Sequence, residues 1–141
     1  MSFTDIEHLV SKKIVELHEF FEKWFLATIN DSIENLEIFS NSLDNNFQII
    51  SPNGKNMSKE DIVEWIKNSY GIYRNEKDFC ITISDINVKI MSKNVLLAIY
   101  KENHLKNGVA TSRTSTAIFC KDRNEMSNFL WYHVHETWNK N

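Results

Sequence analysis

Apolar residues recur at helical intervals from about residue 5 to residue 30, at Ile6, Val10, Ile14, Leu17, Phe21, Trp24 and Phe25. This spacing predicts a long amphipathic helix with Thr4 as its N-cap. The charged run "KKIVELHEFFEK" reads as its solvated side. Asp31 or Ser32 opens a shorter helix through Ile33, Leu36 and Phe39, which the polar stretch "SNSLDNN" brings to an end. "FQIISPNGKNM" alternates briefly and reverses at Pro52, Asn53 and Gly54, the chemistry of a tight turn between two short strands. Ser58 with Asp61 has the form of a capping box and heads a third helix through Ile62, Val63, Trp65 and Ile66, stopping near Gly71.

Beyond about Asp78 the period changes to two. "FCITISDINVKI", "NVLLAIYKENH", "VATSRTSTAIFCK" and "NFLWYHVHETW" are four strands, so the order is helix, helix, strand, strand, helix and four strands. Helices followed by a meander of antiparallel strands imply an α+β fold, with three N-terminal helices packed on a mainly antiparallel sheet of about six strands. Ile81 and Ile83 share one parity while Ile86, Val88 and Ile90 share the other, which predicts a β-bulge near Ser84 and Asp85.

Asn107-Gly108 is a strong hairpin signal, because both central residues of a type I′ turn need positive φ. A two-residue loop there sets Lys106 opposite Val109, Glu102 opposite Arg113, Tyr100 opposite Ser115 and Ala98 opposite Ala117. For the last hairpin, a regular pairing that keeps Lys121 near Phe129 sets Ala117 beside His133 and Ser115 beside His135. One face then carries Tyr100, Glu102, Arg113, Ser115, Trp131, His133, His135 and Thr137. The opposite face carries Leu97, Ile99, Thr114, Thr116, Ile118, Leu130, Tyr132, Val134 and Trp138. The first mixture suits a cavity beneath the helices with a few converging polar groups. The second, left bare by helices that cover only one side, suits a two-fold homodimer.

At 141 residues the chain fits one domain over residues 1–141, and 42 % hydrophobic with 12 % aromatic residues supplies a packed interior. A net charge of −3 without basic clusters argues against a nucleic-acid partner. No apolar run approaches the length of a membrane span and "MSFTDIEHLV" lacks a basic start before an apolar stretch, so no membrane partner and a cytoplasmic location are expected. Cys80 and Cys120 lie in separate strands without C-x-x-C spacing and read as buried free thiols.

His133 and His135, at i and i+2 of one strand, would share a face. They are open to three readings: a metal pair with Glu102 as third ligand, an acid or base whose pKa Glu102 tunes, or hydrogen-bonded lining. The reading adopted holds no metal and no cofactor. Glu102 and Arg113 form a cross-strand pair that, if buried in a pocket, points to recognition of a polar or carboxylated ligand. Trp24 and Tyr100 are candidate walls of the cavity, with core packing as their alternative role. Ser115 lies near His135 within a regular strand, without a G-x-S-x-G elbow, which sets aside a serine nucleophile. Only three glycines occur, and none forms a phosphate loop.

The combination "LDNNFQIISPNGK", "SKEDIVEWI", "IYKEN", "RTSTAIF" and "WYHVHETW" resembles the SnoaL-like branch of the nuclear transport factor 2-like superfamily, over nearly the whole chain. The resemblance implies a cone-shaped, cystatin-like fold in which a strongly curved sheet wraps three N-terminal helices. It also implies a histidine on the last strand behind Trp131 and Val134, the position of His135. Relatives in that superfamily include isomerases, cyclases, dehydratases and non-enzymatic association or binding domains. The expectation is a homodimeric small-molecule-binding protein with a pocket of Trp24, Tyr100, Arg113, Ser115 and His133. In its enzymatic version, a cofactor-free lyase or isomerase, His135 or Glu102 moves a proton while Arg113 anchors an anion. A further alternative is a non-catalytic protein-association domain.

Overall fold

The computed structural model describes residues 1–140. Its first helix, α1 (Phe3–Leu26), starts ahead of the expected position because Ser2, not Thr4, is the cap. The Ser2 hydroxyl accepts from the Asp5 N–H, and the Asp5 carboxylate accepts from the Ser2 N–H, so two otherwise orphaned donors are satisfied together. Helix α2 (Ile33–Asn41) is capped by Ser32, and α3 (Lys59–Asn68) carries the expected Ser58–Asp61 capping box. The strands are β1 (Leu43–Ile50), β2 (Asn56–Ser58), β3 (Cys80–Ser92), β4 (Val95–Lys106), β5 (Val109–Lys121) and β6 (Phe129–Trp138). Strand β1 thus begins inside the stretch that polarity alone assigned to the end of a helix, because Leu43 is needed in the core.

The six strands form one curved sheet in the order β2-β1-β6-β5-β4-β3, antiparallel except for the β1–β6 pair. Three helices on such a sheet make the α+β cone that the sequence predicts. The Asn107-Gly108 turn has φ of 52° and 79°, and all four expected cross-strand pairs of β4 and β5 occur. A bulge between Ser84 and Asn87, with Asp85 at φ 56°, bends β3 where the parity of its isoleucines changes.

Packing of the helices closes the wide side of the cone. The Trp24 indole N–H donates to the Ile66 carbonyl at 2.7 Å and ties α1 to α3. Past α3 the chain folds back so that the N–H groups of Gly71 and Tyr73 donate to the carbonyls of Trp24 and Phe25, each at 2.9 Å, satisfying the end of α1. Gly71 sits at φ +69°, a left-handed conformation that strains most residues bearing a Cβ, and a Cβ there would also lie 3.3 Å from the Ala27 Cβ, so this close return favours glycine. Among the described residues no helix is long and apolar enough to cross a membrane.

The last hairpin departs from regular pairing. Lys121 pairs with Phe129 and Phe119 with Trp131 as expected, but Ile118 then pairs with His133, leaving Tyr132 as an extra residue. One extra residue exchanges the faces of everything beyond it. Trp131 points inward before the bulge, whereas Val134, Glu136 and Trp138 point inward after it. His133 and His135 pass to the outer face, where they flank each other with ring centroids 6.5 Å apart.

Candidate functional site

The inner face of the sheet and the helices enclose a cavity of about 560 Å³. Exposure rises along each inward strand and defines its mouth. On β4, Tyr100 and Glu102 are buried, His104 is half-buried and Lys106 is exposed; on β5, Ser115 is buried, Arg113 half-buried and Thr111 exposed; on β6, Val134 and Glu136 are buried and Trp138 is exposed. The deep end and the facing wall are aromatic and aliphatic, with Phe21, Phe39, Phe47, Ile49 and Ile62 among their side chains.

At mid-depth lies an ionisable cluster centred on Glu102. One carboxylate oxygen accepts from His18 Nε2 at 2.9 Å, and the other pairs with His104 Nε2. His18 Nδ1 donates to the Ile14 carbonyl at 2.7 Å, so its Nε2 bond to Glu102 needs a further proton, held on one partner or the other. Burial disfavours charge on His18, but the Glu102 charge, their hydrogen bond and the Ile14 carbonyl together outweigh it and raise the His18 pKa above its ordinary value. Burial likewise disfavours ionised Glu102, yet the charges and hydrogen bonds of His18 and His104 hold its pKa well below the usual carboxylate range. The two opposite shifts place the extra proton on His18 rather than on Glu102, which makes the pair ionic when both hydrogen bonds are formed.

Glu136 faces the same cluster from β6. Burial, followed by the charge of Glu102, pushes its carboxyl up to about 7 against the pull of Arg113 and His18. Arg113 Nη1 stands 3.6 Å from Glu136 Oε2, and its guanidinium lies over the Trp138 ring at 4.7 Å. Among the described residues, Arg113 Nε is buried without a hydrogen-bond partner. Ser115 Oγ donates to Glu136 Oε2 at 3.5 Å. Burial and then the carboxylates of Glu102 and Glu136 keep the Tyr100 phenol well above its ordinary pKa, so it stays a neutral donor.

The structure thus brings together Tyr100, Glu102 and Arg113 on the cavity wall, with Ser115 in the layer behind Glu136. It does not bring the others. His135 and His133, expected as proton carrier and ligand contact, lie outside because the Tyr132 bulge reverses their face. Trp24 is wholly buried and holds α1 to α3, so its role is packing. Cys80 and Cys120 are half-buried free thiols rather than buried ones.

Sequence reasoning missed His18, His104, Glu136 and Trp138. His18 falls four residues after Ile14 and three before Phe21, in the middle of the apolar stripe, and this spacing was its signal. His104 has the parity of Tyr100 and Glu102. Glu136 and Trp138 were hidden by the bulge.

The family model of the sucrose-6-phosphate phosphohydrolase C-terminal region matches residues 10–140. The chain belongs to this sucrose-6-phosphate phosphohydrolase C-terminal family. No curated protein sequence matches this member of it. Its fold is shared with an NTF2-like protein of unknown function from Pseudomonas aeruginosa, at TM-score 0.80 and 17 % identity over 94 % of this chain and 99 % of that one. It is also similar to Aln2 from Streptomyces, at TM-score 0.74 and 6 % identity over 98 % and 94 % of the two chains. A hexachlorocyclohexane dehydrochlorinase, LinA-type3 from Novosphingobium barchaimii, matches at TM-score 0.65 and 11 % identity over 96 % and 91 %. The chain thus has the NTF2-like, cystatin-like cone.

The Glu136 carboxyl carries a pH dependence whose sign is fixed. Its folded pKa of about 7 exceeds the ordinary 4.5, so between these pH values the folded state holds more protons and stability falls as pH rises. A shift of this size corresponds to about 3 kcal/mol. Glu136→Gln keeps the shape and removes the ionisation. The variant is expected to be more stable than the parent at pH 8 by about 1 to 3 kcal/mol, with little difference at pH 5. Chemical denaturation at the two pH values checks this, and an equal effect at both would show that Glu136 ionises normally.

Proposed function

We propose that the protein binds a small organic molecule in the cone, with an apolar body against the aromatic wall and polar groups against the mid-depth cluster. The carrying observation is a cavity of about 560 Å³ in which Glu102, His18, His104, Glu136 and Arg113 converge opposite phenylalanine and isoleucine side chains. Its size lies in the range of small-molecule sites, and mostly apolar walls with few polar groups are their usual composition. The family is named for a phosphohydrolase of a phosphorylated sugar. A sugar here would set most of its hydroxyls against Phe21, Phe39, Phe47 and Ile62, which favours a less polar ligand.

A second reading, proton-transfer chemistry of a cofactor-free lyase or isomerase, is favoured by the His104–Glu102–His18 chain. With Glu102 ionised, the neutral His104 ring carries its proton on Nε2 and offers the Nδ1 lone pair as a base, oriented as a carboxylate orients a catalytic histidine. His104, which lines the cavity, is the more accessible of the two rings, its side chain 21 % exposed against 5 % for His18. We also propose the homodimer through the outer sheet face, where Ile99, Ile118 and Leu130 remain half-buried and Tyr132 is 40 % exposed.

For the pocket, the neutral dye N-phenyl-1-naphthylamine is expected to bind saturably at one site per chain, and Ile49→Trp, which pushes a larger ring into the cavity, to weaken it several-fold. Absence of saturable binding to the parent protein sinks the reading. For the base, nitrogen chemical shifts of His104 should report the Nε2–H tautomer in the neutral ring, and a proton on Nδ1 there would remove the candidate. For the dimer, sedimentation at micromolar concentration should give twice the chain mass; a monomer alone refutes it.

A further inference from the structure

Among the described residues, Arg113 of the cluster has Glu136 as its carboxylate partner, and that pair is long. Glu102 is engaged on both oxygens by His18 and His104. Glu136, the remaining carboxyl, stands 3.6 Å from Arg113 Nη1, beyond ordinary hydrogen-bond length, and burial keeps it half-protonated near neutral pH. Arg113 Nε is a buried donor with no acceptor among the described residues, so the guanidinium is incompletely satisfied by the protein. Trp138 covers one face of the guanidinium and leaves its edge, the part that hydrogen-bonds, to other partners. Between this group and solvent, Lys55 and Lys106 border the mouth, Lys106 lying 4.8 Å over the Tyr73 ring. Among the described residues no side-chain carboxylate borders the cavity on the solvent side of Arg113, because the inward positions there are Thr111 and Val109 on β5 and Trp138 on β6.

We propose that the ligand is an amphipathic monoanion, a carboxylate on an aromatic or branched apolar body, whose charged end pairs with Arg113 beneath Lys55 and Lys106 while its body lies along Phe21, Phe47 and Ile49. The proposal rests on the pocket reading above and adds to it the sign and position of the ligand's charge. A guanidinium takes a carboxylate through charge-assisted N–H bonds, and the accessible part of the Arg113 side chain, 19 % exposed, lies outside the buried Nε. Orientation follows: the carboxylate faces the mouth, and the apolar end reaches the deep wall. An anion at this place also raises the proton affinity of Glu136, which His18 on α1, Tyr100, Glu102 and His104 on β4, and Arg113 and Ser115 on β5 already surround. Binding therefore takes up a proton near pH 7.

The test compares 2-naphthoate with its neutral analogue 2-naphthalenemethanol by titration calorimetry on the full chain at pH 7. The naphthoate is expected to bind at least tenfold more tightly, with a heat that changes with the ionisation enthalpy of the buffer because a proton is taken up. Arg113→Gln should abolish the preference and leave the alcohol within about threefold of its parent affinity. Lys55→Gln with Lys106→Gln, both on the exposed rim and so without risk to folding, should reduce the preference several-fold and lessen its dependence on salt. If both probes bind the parent protein equally, or the preference survives loss of Arg113, the anionic ligand is refuted while the pocket stands. If neither probe binds, the pocket reading and this inference fail together.

Discussion

A carboxylate enclosed by apolar walls has to be answered, and the interior of this cone is arranged around that requirement at Glu102. Its oxygens meet two histidines, one from α1 and one from its own strand, at positions that covalent geometry alone would not bring together. His18 in turn is anchored to the Ile14 carbonyl, so α1 is fixed in rotation about its axis as well as in distance from the sheet. The same turn of α1 presents Leu17 and Phe21 to the cavity. One buried charge therefore sets the helix orientation that lines the cavity.

Backbone register supplies the rest. The positive φ values of Asn107 and Gly108 put Glu102 opposite Arg113, and the strand period then carries Tyr100 and His104 to the same face. Across β5, the unpaired Tyr132 returns Val134, Glu136 and Trp138 to the interior. Without that residue's bulge the positions opposite Ser115 and Ala117 would be histidines, and the cluster would gain two titrating rings while losing the Glu136 carboxyl. The charge of the cavity is decided by a single irregularity in a hydrogen-bond ladder.

Local rules explain what could be read in advance. Helix spacing, capping residues and period-two strands depend on neighbours in sequence, and they yield the element order, the bend at Asp85 and the β4–β5 pairs that place Tyr100, Glu102 and Arg113. A bulge in a ladder depends on how two strands twist around a filled core. Nothing local to "LWYHVHETW" marks Tyr132 as the extra residue, so His133 and His135 exchange places with Glu136. His18 was legible in principle, since a polar residue within an apolar stripe is either paired or misplaced. Its partner, Glu102, lies 84 residues away, and only the fold joins them.

Stability gives a poor reason for this cluster. Packed hydrocarbon of similar volume generally serves a core as well as a buried ion pair does, because each ion must be stripped of water before its partner repays the loss. Here the repayment is uneven. His18 and Glu102 satisfy one another, while Glu136 is left with a proton affinity raised to about 7 and Arg113 with an unused donor. Such imbalance costs free energy that a packed apolar core would not. Groups whose environments push them away from ordinary titration gather where binding or proton transfer takes place. The imbalance is concentrated on the side of the cavity that opens to solvent, at Arg113 and Trp138.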